Sequence, residues 1–435
     1  MVEQPGFQAK KFLFISLISL SGDLAWKIKK EGHEVKIFVK DKNDADVYDG
    51  MLDKVEKWED FVDWADVIVF DDVGFGPVAD KLRKKGKLVV GGSAYTDRTE
   101  DDREFGQEEM KRLGMNILPH YNFDNFDSAI DFLKKNPGRY VFKPSGSSAG
   151  NEKNLLFVGE EEDGKDILEM MEHNKGIWAK KIKNFQLQKF VAGVEVAVGG
   201  FFNGKKFIHP LNINFEHKKL FPGERGPSTG EMGTLMYWNS ASVLFQNTLA
   251  KMENALAEAG YVGYYDINCI VNGRGIYPLE ITARFGFPTI SIQMEGMLEP
   301  MGEFLFKLVR GDDFEFKTKR GFQIGVVVAV PPFPFFNKEI FSIYKDSSIL
   351  FKSKNSENFD GIHWGDVKMV DGDLKLAGES GYALIVTGSG TTVDEARRQA
   401  YNRVKNIRLQ DMFYRVDIGT RWFSDSDKLQ SWGYV

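Results

Sequence analysis

Residues 277–289 read YPLEITARFGFPT, and this stretch decides how the rest of the chain is interpreted. An apolar run carries one carboxylate, Glu280, and the guanidinium of Arg284 follows four residues later, directly before a Phe-Gly-Phe-Pro sequence. A strand buried in a core does not retain charged side chains unless each has a partner, because burying an unpaired charge is strongly unfavourable. We therefore predict that Glu280 and Arg284 face a cleft in which a ligand balances their charges.

The stretch is the second strand of a predicted hairpin whose turn is the sequence NGRG at 272–275. Asp266 and Asn268 share a face of the first strand, and Glu280 and Thr282 share a face of the second, because strand residues two apart point the same way. If the strands pair across this turn, Asp266 and Glu280 lie side by side. Two adjacent carboxylates repel unless a cation separates them, and Mg²⁺ prefers such oxygen ligands. The alternative is two carboxylates at strand ends that face water.

Three further segments contain residue types that suit a nucleotide. In YVFKPSGSSAG (140–150), Lys143 precedes a Gly/Ser loop, which can offer backbone N–H groups to phosphates; an ordinary turn beside a surface lysine is the alternative. LQKFVAGVE (187–195) offers a backbone edge for a purine and a carboxylate for ribose hydroxyls. EHKKLFPGERGPSTGEMGT (216–234) contains four glycines and several charges, and we expect it to be a mobile loop without secondary structure that closes over a reactive intermediate.

The length, net charge and cysteine count of the chain exclude several classes of protein. The 435 residues predict two to four domains, and a net charge of −6 does not favour nucleic acid as the main partner. The single cysteine, Cys269, excludes an intrachain disulfide and a cysteine-based zinc site, and it fits a reducing cytosol. No apolar run approaches the length of about 20 residues that a transmembrane helix needs.

Strand and helix patterns alternate over residues 11–93, which predicts a parallel sheet with helical crossovers. The pattern then changes to paired strands with Gly/Ser turns, as expected for a small antiparallel lobe. Residues 244–260 are predicted to form one long amphipathic helix, and a strand-rich unit ends the chain. We therefore predict three domains, which comprise residues 1–119, residues 120–315 with a small lobe at about 120–190, and residues 316–435.

The order of these segments resembles the ATP-grasp superfamily. Four stretches resemble the glycinamide ribonucleotide synthetase (phosphoribosylamine–glycine ligase) family more specifically: EHKKLFPGERGPSTGEMGT, PLEITARFGFPT, GYALIVTGSGTTVDEARRQAY (381–401) and FYRVDIG (413–419). The resemblance covers nearly the whole chain and is strongest after Gln188. It implies a fold of the α/β and α+β classes, namely an ATP-grasp fold with an N-terminal Rossmann-like parallel-sheet domain and a C-terminal strand-rich α+β domain.

The resemblance also implies a reaction. A ligase of this family uses ATP to convert a carboxylate into an acyl phosphate, and an amine then displaces phosphate, so that ADP, phosphate and an amide are formed. The implied cofactors are ATP and Mg²⁺, with Mn²⁺ as an alternative ion. Glycine and phosphoribosylamine are the family's substrates in purine biosynthesis. We expect a cytoplasmic monomer or homodimer that acts on small molecules and has neither a nucleic acid nor a membrane as partner.

The family's binding residues can be carried over to matching positions. Lys143 would hold ATP phosphates, the backbone of the segment from Gln188 to Val191 would bind adenine, and Glu195 would bind ribose. The full set implied for ATP is Lys143, Gln188, Lys189, Phe190, Val191 and Glu195. Asp266 and Glu280 would bind Mg²⁺, and Thr282 would be a weaker ligand; Asp266 is carried over from the wider superfamily.

Three cationic residues are implied in catalysis. Arg284 would face the carboxylate substrate or the transferring phosphoryl group, since a planar guanidinium suits either. Lys218 and Arg225 belong to the loop 217–233, which would cover the amino acid and the acyl phosphate.

The sequence departs from the family at several positions. Thr282 replaces the asparagine of the family's Glu-x-Asn metal motif, and Phe287 and Thr289 replace acidic residues. The stretch ISLSGDLAWK (18–27) replaces most of a Gly-Gly-Arg-Glu-His run that helps to bind the sugar phosphate. These changes favour an alternative in which the ligase chemistry is retained but the acid, the amine or both differ. A second alternative, supported by Thr282, is a nucleotide-binding protein without catalysis.

Overall fold

A computed structural model describes residues 8–145, 155–240, 242–353, 355 and 359–435 of the chain. Within these residues the strands form one parallel sheet, one large sheet, one small-lobe sheet and three two-stranded pairs. This arrangement confirms the predicted mixture of α/β and α+β structure.

The N-terminal unit is a five-stranded sheet in the order β3-β2-β1-β4-β5, and all of its strand pairs are parallel. Apolar side chains of β1 pack on both faces of the sheet, as expected for a strand covered by helices on both sides. The elements are β1 (Lys11–Ser16), α1 (Gly22–Lys30), β2 (Glu34–Val39), β3 (Asp53–Lys54), β4 (Val67–Phe70), α2 (Gly76–Lys84), β5 (Val89–Val90), α3 (Ala94–Asp101) and α4 (Arg103–Arg112).

The small lobe is a four-stranded antiparallel sheet in the order β6-β9-β7-β8, with two helices and a hydrophobic core of its own. This confirms the predicted antiparallel lobe. Its elements are β6 (His120–Phe123), α5 (Phe126–Lys135), β7 (Tyr140–Ser145), β8 (Phe157–Val158), α6 (Lys165–Trp178) and β9 (Asn184–Lys189). Residues 146–154, which contain most of the predicted phosphate loop, lie outside the described residues.

An eight-stranded sheet in the order β16-β15-β10-β11-β14-β17-β22-β19 forms the centre of the molecule. It joins the late strands β17, β22 and β19 to the earlier ones, so it crosses the predicted boundary at residues 315 and 316. The three-domain division stays a prediction. The strands are β10 (Val194–Phe202), β11 (Phe207–Glu216), β14 (Gly233–Asn239), β15 (Gly263–Asn272), β16 (Gly275–Thr282), β17 (Phe322–Ala329), β19 (Ile362–Trp364) and β22 (Tyr382–Gly390).

The prediction of one long helix over 244–260 was wrong. Two helices occupy this region, α7 (Val243–Asn247) and α8 (Leu249–Glu258), and Thr248 between them has φ −131° and ψ −89°. The Thr248 hydroxyl donates a hydrogen bond of 2.6 Å to the carbonyl of Leu244. This side-chain bond competes with the helical backbone pattern, which is the usual effect of threonine inside a helix.

The remaining elements complete the C-terminal unit and the loops. The helix α12 begins at a capping box, in which Thr392 and Glu395 bond each other's backbone N–H groups; the sequence TTVDEARRQ predicts this start. These elements are β12 (Lys219–Phe221), β13 (Arg225–Ser228), α9 (Thr289–Gly296), α10 (Met301–Val309), α11 (Lys338–Phe341), β18 (Leu350–Phe351), β20 (Val367–Val370), β21 (Asp373–Leu376), α12 (Val393–Val404), β23 (Ile407–Arg408) and α13 (Trp422–Ser431). Among the described residues, no helix has the length and apolar character needed to cross a bilayer.

Candidate functional site

The β15–β16 hairpin brings the predicted metal ligands to one face of the large sheet. Asp266 lies opposite Thr282, and Asn268 lies opposite Glu280, so the expectation that Asp266 and Glu280 are direct cross-strand neighbours was wrong. The register shifts because Leu279 has no partner, which makes it the extra residue of a β-bulge. Without the bulge Glu280 would point to the opposite face, because a shift of one residue reverses the side chains of a strand. The bulge therefore assembles the site.

Lys218 is the centre of the charge network on this face. Its ammonium lies 3.0 Å from a carboxylate oxygen of Glu195, 3.3 Å from one of Glu216 and 2.9 Å from one of Glu280. Lys218 holds the pKa of Glu280 well below its ordinary value. Burial alone would lower the pKa of Lys218, but the three carboxylates hold it well above the ordinary value. Neither Lys218's central position nor the participation of Glu216 was predicted.

The neighbouring carboxylates Asp266 and Glu231 form no salt bridge with a described lysine or arginine. Asp266 is buried and accepts hydrogen bonds from the Tyr264 hydroxyl at 2.9 Å and from the amide of Asn214 at 3.2 Å. Burial and the charge of Glu216 raise its pKa well above the ordinary value, and burial followed by Glu216 does the same for Glu231. Adjacent buried carboxylates of this kind ionise together only when a cation joins them.

The donor set fits Mg²⁺. Asp266, Glu280 and Thr282 supply oxygen atoms only, which are the ligands this ion prefers, and Glu216 and Glu231 add two further carboxylates beside them. A hydroxyl at Thr282 retains an oxygen at the position of the family's asparagine. These residues could therefore hold the ion that accompanies nucleotide phosphates.

The predicted ATP residues lie on the small lobe and on β10. Lys143 is buried and donates a 2.7 Å hydrogen bond to the side-chain oxygen of Gln188, whose own amide nitrogen is buried without a partner among the described residues. Burial, followed by the charge of Arg103, lowers the pKa of Lys143 to about 7. An unsatisfied buried amide and a half-neutral lysine are both suited to a phosphate oxygen, which would accept from one and restore the charge of the other.

The backbone segment predicted to bind adenine already donates hydrogen bonds within the protein. The backbone N–H of Lys189 donates a hydrogen bond to the carbonyl of Pro119, and the backbone N–H of Phe190 donates one to the carbonyl of Arg139. Val191 is half-buried and lies two residues after the end of β9. Glu195 lies on β10, where Asn268 donates to it at 3.1 Å and Lys218 pairs with it.

Arg284 connects the hairpin to the N-terminal unit. Its guanidinium lies 3.3 Å from Asp72, just after β4, and 3.2 Å from Glu100 on α3, and it donates to the carbonyl of Phe285. Neither partner was predicted. Asp72 follows the strand VIVF at the carboxyl edge of a parallel sheet, which is where α/β proteins place ligand-contacting residues, so the sequence contained a usable signal.

The segment 216–234 has more structure than predicted. It contains the hairpin β12–β13, so the expectation of a loop without secondary structure was wrong. His217, Glu224 and Asp417 lie close enough together to suggest a metal site. However, Arg415 contacts His217 at 3.2 Å and both carboxylates at 2.7 Å, so a guanidinium already balances this cluster and anchors the hairpin. Arg225 is exposed on β13.

A cavity of about 360 Å³, which we call the hairpin cavity, lies between the large sheet and the N-terminal helices. It brings together Lys218, Asp266, Glu280, Thr282 and Arg284, together with residues that the sequence did not single out. The other predicted residues, among those described, do not line it: Lys143, Gln188, Lys189, Phe190, Val191, Glu195 and Arg225. The charged residues of its lining are Glu100, Arg103, Glu216, Lys218, Glu231, Asp266, Glu280 and Arg284.

Two family profiles match the chain. Residues 101–290 match the profile of the phosphoribosylglycinamide synthetase ATP-grasp (A) domain, and residues 323–421 match that of the phosphoribosylglycinamide synthetase C domain. The chain is 22% identical over 430 residues to a phosphoribosylamine–glycine ligase of Clostridium acetobutylicum, covering 94% of this chain and 99% of the relative. It is 25% identical over 357 residues to the enzyme of that name from Listeria monocytogenes, covering 79% and 81%.

Solved structures share the fold. A phosphoribosylamine–glycine ligase from Thermotoga maritima superimposes with a TM-score of 0.69 at 22% identity, covering 94% of this chain and 100% of the other. A biotin carboxylase from Campylobacter jejuni superimposes with a TM-score of 0.60 at 13% identity, covering 98% and 97%.

Proposed function

The chain belongs to the ATP-grasp proteins of the phosphoribosylglycinamide synthetase type, and from this premise we propose that it joins a carboxylate to an amine through an acyl phosphate. It is an ADP-forming ligase that makes a C–N bond, of the purine-biosynthesis type. The observation that carries the proposal is the bulge at Leu279, which directs the oxygen ligands of Asp266, Glu280 and Thr282 into one cavity with Lys218.

The proposed reaction has two steps. In the first, a carboxylate oxygen of the acid attacks the γ-phosphorus of ATP, the bond from that phosphorus to the β,γ-bridging oxygen breaks, and ADP leaves. In the second, the neutral amine attacks the acyl carbon, the C–O bond to phosphate breaks, and the nitrogen loses a proton that leaves with phosphate. Little covalent work falls to the protein, so positioning and charge neutralisation dominate.

Residues of the small lobe, β10 and the β15–β16 hairpin would supply these functions. We propose that Lys143 and Gln188 hold ATP phosphates and that Glu195 receives the ribose, while the backbone from Gln188 to Val191 faces adenine. Asp266, Glu280 and Thr282 would hold Mg²⁺, which neutralises phosphate charge when bound.

The cationic residues would act around the acyl group. Arg284 and Lys218 line the same cavity and would face the acid and its acyl phosphate. Arg225 would approach only if β12–β13 moves toward the cavity, since it is exposed in the present arrangement. Arg415 holds both the start of the hairpin, through the carbonyl of Lys219, and its turn, through Glu224, so such a movement would have to break these bonds.

The relatives support a proposal for the substrates, the compartment and the oligomeric state. We propose that the substrates are small molecules, that the protein is cytoplasmic, and that it acts as a monomer or a homodimer. The buried thiol of Cys269 is free, which is compatible with a reducing compartment.

The proposal is tested by measuring ADP and phosphate release from MgATP in a matrix of acids and amines. Glycine with phosphoribosylamine, the pair named by the relatives, is the first combination. We expect release only when both a suitable acid and a suitable amine are present. Binding of MgATP without turnover for any pair would contradict the ligase, and absence of MgATP binding by calorimetry would contradict a nucleotide site altogether.

A further inference from the structure

One carboxylate of the hairpin cavity belongs neither to a salt bridge nor to the proposed metal site. Five carboxylates line this cavity, and Lys218 and Arg284 pair with three of them. A fourth is a proposed Mg²⁺ ligand. The fifth is Glu231, which forms no salt bridge with a described lysine or arginine, so its charge is available to a ligand. The other four carboxylates are Glu100, Glu216, Asp266 and Glu280.

The backbone around Glu231 is bonded to the segment that carries Lys218. Glu231 belongs to the connection between β13 and β14. On one side of it, the N–H of Thr229 donates a hydrogen bond of 2.9 Å to the carbonyl of Lys218. On the other side, the N–H of Met232 donates one of 2.8 Å to the carbonyl of His217. These bonds fix the backbone of Glu231 beside Lys218, so the position of its side chain does not depend on a free loop.

The carboxylate of Glu231 is bonded at one oxygen and open at the other. The hydroxyl of Thr234 donates a hydrogen bond to Oε1. The second oxygen, Oε2, accepts no hydrogen bond from a described residue, and it retains accessible surface. Because Glu231 lines the hairpin cavity, a ligand there can donate to Oε2. A hydrogen bond between an ammonium and a carboxylate is among the strongest that this oxygen can accept.

The two cations proposed to face the acid lie close to Glu231. The charges of Lys218 and Arg284 both act on its carboxylate. An α-amino acid such as glycine carries its ammonium and its carboxylate on the same carbon atom. If Lys218 and Arg284 face the carboxylate of such an acid, the ammonium therefore lies within reach of nearby side chains, and Glu231 is the carboxylate among them that has no salt bridge of its own.

Glu231 also lies at the margin of the proposed ion site. A second cavity adjoins the hairpin cavity, and Gly230, Glu231 and Phe287 line both of them. The proposed Mg²⁺ ligands of the β15–β16 hairpin line the hairpin cavity alone. Of the three residues at the border, Glu231 carries the charge, because an apolar ring at Phe287 stands where the family has an acidic residue.

We propose that Glu231 binds the ammonium group of the acid substrate and so selects an α-amino acid over an acid of equal size without a positive charge. This inference rests on the proposed ligase function. The ammonium would donate to Oε2, while the carboxylate of the substrate faces Lys218 and Arg284 and is phosphorylated. Because the ammonium takes no part in the reaction, its contact with Glu231 persists through phosphoryl transfer. Glu231 therefore contributes to binding of the acid and not to kcat.

The ligand-side test uses the unmodified protein with MgATP and phosphoribosylamine and follows ADP release. Glycine is the substrate, and glycolate, which has a hydroxyl in place of the ammonium, is the competing acid. We expect the inhibition constant of glycolate to exceed the KM for glycine by about tenfold or more. Competition by glycolate at the same concentration as glycine would overturn the proposal.

The variant test compares Glu231→Gln with the control Glu315→Gln at an exposed position. Glutamine retains the size of the side chain and an oxygen that can accept from Thr234, so we expect the same melting temperature as in the control. The KM for glycine should rise by about tenfold or more, while kcat, the KM for ATP and the inhibition constant of glycolate each stay within about twofold.

The other outcomes contradict the inference in different ways. An equal rise in the KM for glycine and in the inhibition constant of glycolate would mean that Glu231 does not recognise the ammonium. An increased Mg²⁺ requirement with an unchanged KM for glycine would assign Glu231 to the ion instead. Absence of glycine-dependent ADP release from the unmodified protein would contradict the proposed function itself.

Discussion

The two adjoining cavities contain similar numbers of carboxylates but differ in how those charges are balanced. In the hairpin cavity the protein supplies a cation of its own, Lys218, within 3.3 Å of three carboxylates. In the second cavity, which has a volume of about 330 Å³ and which we call the acidic cavity, no described lining residue is cationic, and the carboxylates are Asp41, Asp44, Glu231, Asp366 and Glu379. Phe287 and Glu231 belong to both linings and mark the border between them.

This difference determines how the carboxylates of each cavity are balanced. A site that alternates carboxylates with Lys218 and Arg284 can accept a metal ion, phosphates and an acyl group without leaving a charge uncompensated. In a site with carboxylates alone, burial and neighbouring like charges raise the pKa values, so that Asp366 retains its proton at neutral pH.

The largest expected effect comes from Glu280→Gln. Removing this charge takes away a predicted Mg²⁺ ligand and one of the partners of Lys218, so turnover should fall by about a thousandfold or more while the fold is retained. The measurement is the rate of ADP release beside a circular dichroism spectrum, with Glu315→Gln at an exposed position as the control. Activity equal to that of the control would refute the metal role.

The next effect concerns stability. Lys218→Met would leave Glu195, Glu216 and Glu280 together without their cation, and we expect the free energy of unfolding to fall by about 3 kcal/mol without metal. This loss lies at the lower end of the range for breaking a buried ion pair, because the Glu280 side chain is 44% exposed. Urea unfolding measures the change, and Lys181→Met, at an exposed position, is the matched control. Equal stability of the two variants would mean that solvent already screens the carboxylates.

Patterns within a segment predicted the fold well. The parallel sheet, the NGRG turn and the capping box at Thr392 depend on neighbouring residues, so periodicity and turn chemistry were sufficient. The helix over 244–260 failed for a local reason, because Thr248 bonds back to Leu244 and interrupts an otherwise amphipathic pattern.

The site was predicted only in part, because its geometry depends on distant pairings. The bulge at Leu279 changes the register by one residue, and only the presence of Pro278, which cannot donate to a ladder, hinted at an irregular strand. Arg284 pairs with Asp72 and Glu100, which lie about two hundred residues earlier. No spacing rule identifies such partners, since the packing of separate units creates them.

A smaller effect tests the acidic cavity through pH. Asp366 has a folded pKa of about 8, above the unfolded value of 3.8, so the folded state holds this proton more tightly. Stability from this group is therefore greatest below pH 4 and is lost as the pH rises from about 4 to 8. In Asp366→Asn this loss is absent, and we expect the variant to lose less of its free energy of unfolding than the original protein across that range. Urea unfolding at several pH values, with Asp371→Asn as control, measures it; parallel curves would contradict the uncompensated charge.

The smallest effect concerns Lys143, which lies on the small lobe and is proposed to bind ATP phosphates. Its folded pKa of about 7 means that it is mostly neutral at pH 8 before ATP binds. Phosphate oxygens favour the charged form and raise this pKa, so MgATP binding at pH 8 should take up to about one proton from solution. Calorimetry in buffers of different ionisation enthalpy measures the uptake, and Lys143→Met should abolish it while weakening MgATP binding about tenfold. Lys181→Met should retain both. If Lys143→Met still shows the uptake, the proton goes to one of the carboxylates of the hairpin cavity, and Lys143 does not contact the phosphates.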